Sequence, residues 1–159
     1  MISKAFAPWV EPIASGLADG RQQVIEFARS LSADAWSRPS AADGWTYKDV
    51  LAHLAGDTGK VSLAVLRAAV GGRTFEHSGL ADGGDALNAR DVDERRDRSV
   101  DDLMAEIDGD GREWQDLLSQ LKETHQHLRW PGFPLSLGEY LLILLPHDRE
   151  HLAQVRTAL

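Results

Sequence analysis

Four stretches of this sequence space their apolar residues three, four or seven apart, and none shows the sustained apolar–polar alternation of a half-buried strand. At 3.6 residues per turn such spacing gathers the apolar positions on one face, so each stretch reads as a helix that must pack against other helices. The first runs from about Glu11 to Leu31 through Ile13, Leu17, Val24 and Phe27. The second begins after Thr46 and continues through Val50, Leu54, Val61 and Val65 to the Gly71-Gly72 stop. The third starts after Ser99 and carries Leu103, Ile107, Trp114, Leu117 and Leu121, and the fourth carries Leu137, Tyr140, Leu141, Leu144 and Val155. The expectation is an all-α protein built as a four-helix bundle.

The helix starts are signalled locally. Thr46 with Asp49, and Ser99 with Asp102, place a capping hydroxyl three residues ahead of an acid at the positive end of the helix dipole. Ser136-Leu-Gly-Glu139 is a capping box. Interruptions are signalled too. Pro146 removes a backbone donor and crowds the carbonyl of Leu142, which predicts a kink just before His147. Gly109 and Gly111 weaken the middle of the third helix, where a kink or break is expected. Between the second and third helices lies Gly71 to Arg98, far longer than a usual bundle connection, and its second half, DALNARDVDERR, can form a short helix. A chain of 159 residues without an internal repeat or low-complexity tract is read as one domain, 1–159.

Composition narrows the function. The chain has no cysteine, so any metal must be held by His, Asp or Glu, and thiolate nucleophiles and disulfides are excluded. The net charge of −8, without a Lys/Arg cluster, disfavours direct nucleic-acid binding, which draws its affinity from phosphate neutralisation. The start, MISKAFAPWVEPIASG, has no basic region followed by an apolar one, and the longest apolar run, Tyr140 to Pro146, falls short of the roughly 20 residues that span a bilayer. A soluble, cytoplasmic protein is expected.

His147 and His151 are the sharpest chemical feature. Four residues apart on a helix, their Cβ atoms lie roughly 5–6 Å apart, and both fall within the stripe set by Leu144 and Val155. Imidazoles turned into a bundle core need partners or a ligand. On the second helix, Asp57 falls within the stripe set by Val50, Leu54 and Val61, with His53 near its edge. Three histidines from two facing helices make an open metal site in which water or substrate takes a further position. Asp57 reads equally as an added ligand, an acceptor behind a ligand, a general base or a solvated residue beside a frayed or curved stretch of helix at Gly56 and Gly59.

Other features are weaker. His147-Asp-Arg-Glu-His151 fits the inverted zinc-protease pattern with Glu150 as base, but only eight residues follow to supply another ligand, so Glu150 reads as a solvated helix residue. His125 and His127 suit the C-terminal end of the third helix. His77 lies in the long connection, where either the surface or a substrate is open to it. The five tryptophans, at 9, 36, 45, 114 and 130, read as core and cap residues, with Trp45 in a staple-like position before Thr46.

In order and separation, GWTYKDVLAHLAGD, ALNARDVDERRDRSVDDLMAEI and LGEYLLILLPHDREHLAQVR resemble successive motifs of the DinB/YfiT-like metalloenzymes, a family that includes the N-terminal domain of mycothiol-dependent maleylpyruvate isomerase. The resemblance covers about Ser15 to the C-terminus. It implies a DinB-type four-helix bundle, often dimeric, with a divalent ion, zinc or alternatively nickel. His53, His147 and His151 stand where the family carries its helix-two and last-helix ligands. It further implies a small-molecule substrate and a low-molecular-weight thiol cosubstrate. The separate C-terminal domain of the mycothiol-dependent isomerases is not expected here. Two function classes follow: a metal-dependent enzyme, such as a thiol S-transferase or hydrolase, or a non-catalytic metal-binding stress-response module whose ion is closed off by protein groups.

Overall fold

The computed structural model describes residues 5–42, 44–75 and 84–156, leaving aside the side chains at 57–59, 84 and 85. Seven α-helices lie among the described residues: α1 (Glu11–Ser30), α2 (Tyr47–Leu54), α3 (Asp57–Val70), α4 (Gly84–Arg95), α5 (Val100–Leu118), α6 (Leu137–Leu144) and α7 (His147–Arg156). No strand occurs among them, only an isolated bridge between Pro39 and Thr46. The three sequence-visible starts are complete capping boxes. Thr46, Ser99 and Ser136 each accept from the backbone three residues on, while Asp49, Asp102 and Glu139 reach back.

The long helices α1 and α5 pack against one another, and α5 also packs on α3 and α2. The other two columns are each broken, so the expected continuous second and fourth helices become α2–α3 and α6–α7. The second helix was expected to continue past Asp57, frayed or curved at most at Gly56 and Gly59; instead the backbone leaves helical geometry at Gly56 (φ −92°, ψ −139°). The reason is tertiary. A Cβ on Gly56 would lie 2.5 Å from Cγ of Asp91 on α4, so the crossover helix seats itself on the break. The break in the fourth column is the expected effect of Pro146, carried further than a kink. With no donor at Pro146, the carbonyl of Leu142 accepts from Leu145 at 3.4 Å, and Pro146 starts a new helix by accepting from Glu150 at 2.9 Å.

No break appears in α5, contrary to the expectation at Gly109 and Gly111. Its backbone hydrogen bonds outweigh the modest propensity cost of two glycines, and Gly111 leaves room for Arg21 of α1, whose Cγ lies 3.7 Å from where a Cβ would be. The helix also ends at Leu118, before His125, which instead occupies a 3-10 turn, its Nδ1 accepting from the backbone of Lys122 at 2.9 Å.

The core divides at the level of the two breaks. One apolar cluster joins Ile13 and Leu17 to Leu63, Leu66, Trp114, Leu118, Leu137 and Leu141. The other joins Val24 and Ala28 to Tyr47, Val50, Leu54, Leu103, Ile107 and Val155. Buried polar side chains accompany the breaks: Arg21, His53, Asp91, Arg95 and Asp148. No helix among the described residues is long and apolar enough to cross a membrane.

Candidate metal centre

Each broken column delivers histidine at its break. His53 is the penultimate residue of α2, and His147 is the first of α7, with His151 one turn further on. Because α7 packs on α2, the three rings meet. Ring centroids are 5.4 Å apart for His53 and His147, and 4.6 Å for each of the other two pairs. One nitrogen from each ring lies within 4.8 Å of the others. His53 is 1% exposed, deeper than its expected place at the edge of the stripe, whereas the His147 side chain is 22% exposed, so the cluster opens toward the surface on the α7 side.

The ring nitrogens are divided between two tasks. Nδ1 of His151 lies 2.8 Å from Oε1 of Gln154, and Nδ1 of His147 lies 3.3 Å from Oδ1 of Asp148. Oxygen acceptors there keep the proton on Nδ1 and leave Nε2 free. Nε2 of His53 and Nε2 of His151 approach to 3.2 Å. Two imidazoles bound at about 2.0–2.1 Å to a tetrahedral ion hold their nitrogens about 3.3 Å apart, so the donor set and its spacing fit a divalent ion such as zinc. Burial, and next the neighbouring His147, push His151 down from 6.5 to about 4, so its ring is neutral and able to ligate at physiological pH.

Arg21 ties the two breaks together. Its guanidinium donates from Nη1 to the carbonyl of Leu54 at the end of α2 (2.8 Å), and its Nε pairs at 3.0 Å with Oδ2 of Asp148 at the start of α7. It also lies over the Trp114 ring, 4.4 Å from the centroid. Burial by itself would raise the Asp148 carboxyl, but Arg21 and the hydrogen bond from His147 hold it below the usual carboxylate range. Behind His53, Oδ2 of Asp91 stands 3.7 Å from Nδ1. Trp45, expected as a cap residue, packs its ring 5.2 Å from that of His53.

The sequence reading missed Arg21, Asp91 and Gln154. Arg21 did leave a signal, since it occupies the core-facing position four residues after Leu17 in an otherwise apolar stripe. Asp57 heads α3, but its side chain is outside the described residues, and the break at Gly56 removes the continuous helix that put it in register with His53. His77 also lies outside the described residues. Glu150 is exposed on α7, consistent with a solvated role.

The profile of the family described as mycothiol maleylpyruvate isomerase N-terminal domain matches residues 17–149, a span that includes His53 and His147 and stops just before His151. No curated protein and no solved structure matched the chain. With the match running from the first turns of α1 into α7, the chain belongs to the mycothiol maleylpyruvate isomerase N-terminal domain family, a family of DinB/YfiT type.

Proposed function

We propose that this chain is a divalent-metal-dependent enzyme domain acting on a small molecule with a low-molecular-weight thiol as cosubstrate, as an S-transferase or, alternatively, a hydrolase. His53, His147 and His151 would hold the ion, zinc by preference and nickel as the alternative. The observation that carries this is the convergence of three imidazoles from two broken helices, with the Nε2 atoms of His53 and His151 3.2 Å apart. A divalent ion at that place would supply Lewis acidity, lowering the pKa of a coordinated thiol or water. The thiol is suggested by the family, whose description names mycothiol.

The chain's own residues account for the remaining requirements. Gln154 and Asp148 orient His151 and His147 through Nδ1. The site is shut off from solvent at His53 on α2, while the greater exposure of His147 leaves an approach for substrate. Three protein ligands leave a further position for that substrate, which favours an enzyme over a closed structural ion. Asp57, four residues beyond His53, keeps a place in the proposal as a base, to be tested by Asp57→Asn. A homodimer in the cytoplasm is part of the same proposal, with exposed Leu142 and Ile143 on α6 as an apolar patch to bury.

The test is metal analysis of protein purified without a His tag, followed by assay of thiol consumption against electrophilic small molecules. One ion per chain, lost in His147→Ala together with any thiol turnover, is the expected result. Absence of stoichiometric metal, with His147→Ala unchanged in metal uptake, would refute it.

A further inference from the structure

Asp91 is an unusual expenditure of burial. Its side chain is 3% exposed, and so is nearly as deep as His53 at 2%. Asp91 Oδ2 and His53 Nδ1 each have no hydrogen-bond partner among the described residues, and they face each other at 3.7 Å. A buried carboxylate oxygen and a buried ring nitrogen left without partners are costly apart, and the shortest remedy for both is a proton on Nδ1 shared between them. The carboxylate is not free to turn elsewhere. Its Cγ and Cβ lie 2.5 Å and 2.7 Å from where a Cβ on Gly56 would be, so the glycine at the break is the seat for this residue. From behind, Arg95 of the same helix donates to the Asp91 carbonyl at 3.3 Å and pairs with Glu106 at 3.1 Å, and Lys60 in turn pairs with Glu106 at 3.1 Å and with Asp110 at 2.8 Å.

We propose that Asp91, carried by the crossover helix α4 and seated on Gly56, is a positioning residue of the histidine centre that keeps the His53 proton on Nδ1 and so presents Nε2 as a bare donor. This rests on the reading of the three histidines as metal ligands. It follows from elimination at the His53–His151 contact. Oε1 of Gln154 can only accept, so His151 carries its proton on Nδ1 and has a bare Nε2. A neutral hydrogen bond across the 3.2 Å contact would then require the proton of His53 on Nε2, turning a lone pair of Nδ1 toward the Asp91 carboxylate. Asp91 disfavours that tautomer. The result is two bare nitrogens facing one another, an arrangement that a cation completes and a proton-sharing pair does not. The long crossover thus supplies part of the centre through α4.

Two readouts test this, the His53 tautomer in metal-free protein by nitrogen-15 NMR and zinc affinity by competition with a chromophoric chelator. Wild type should show the Nδ1–H tautomer at His53. In Asp91→Asn the Nε2–H form should gain population and zinc affinity should fall about 10- to 100-fold, with the apo thermal midpoint held or raised. Gly56→Ala, which keeps the charge but displaces it, should weaken zinc binding in the same direction. Wild-type tautomer and zinc affinity in both variants would overturn the proposal, and a lowered midpoint as their sole effect would mark Asp91 as structural only. If wild type itself binds no zinc, the ligand reading fails, and the tautomer of the metal-free protein still decides the role of Asp91.

Discussion

The two helix breaks bring histidines to one place by different means. The α2–α3 break is made by glycine, is buried, and is held by α4 docking from elsewhere in the chain. His53 there is backed by Asp91, 3.7 Å away on α4. The α6–α7 break is made by proline, is partly exposed, and backs its histidines from within α7 itself, His147 with Asp148 and His151 with Gln154. One arm of the centre is therefore a product of tertiary packing, and the other is encoded within eight residues of chain. Arg21 is the group common to both, with Nη1 on the Leu54 carbonyl and Nε on Asp148.

That difference can be broken at its common point with the largest effect. Arg21→Ala leaves the Asp148 carboxylate and the Leu54 carbonyl buried without their partner, and should cost about 3–5 kcal/mol of apo stability by urea denaturation. A loss below about 1 kcal/mol would mean that the two breaks are held independently. The two arms should then separate under histidine removal. His53→Ala opens a cavity in a fully packed site and should cost about 2–4 kcal/mol of apo stability. His147→Ala, at a partly exposed position, should cost about 1 kcal/mol or less. Both should lose at least about 100-fold in zinc affinity by chelator competition, so equal losses of stability, or unequal losses of metal, would contradict the comparison.

The exposed arm should also show in the pH dependence of the apo protein. In the unfolded chain His151 takes up a proton near its ordinary 6.5, whereas in the folded protein it does so only at about 4. Between those values the unfolded state binds more protons, so stability should fall as pH drops from about 6.5 to about 4. His151→Gln should flatten that segment of the stability–pH curve. The smallest effect on the histidine centre belongs to positions remote from both breaks. Ser136→Ala at the start of α6 removes one hydroxyl cap, costs about 1 kcal/mol, and should leave zinc affinity unchanged.

The same contrast explains what was legible in the sequence. Caps and apolar stripes are local, and they located the starts of α2, α5 and α6 and the pairing of His147 with His151. Pro146 announced its break because proline acts through its own backbone. Gly56, with Gly59, signalled only fraying or curvature, since glycine is tolerated within helices and the reason for a full break here is the carboxylate of Asp91 pressing on it. Asp91 and Arg95 stand in a stretch that the sequence showed only as a possible short helix, and they are buried where α4 docks on α2 and α3. Gly111 erred in the opposite direction: with Gly109 it allowed a break, yet α5 runs on through it and Gly111 makes room for Arg21.

X-ray absorption of the zinc-loaded protein tests the central claim most directly. Three imidazole nitrogens at about 2.0–2.1 Å, with a fourth light-atom ligand that an added thiol replaces by sulfur, is the predicted coordination. The imidazole count should fall in His53→Ala as well as in His151→Ala. A wild-type spectrum with fewer than three imidazoles, or a closed shell that no thiol enters, would contradict the account.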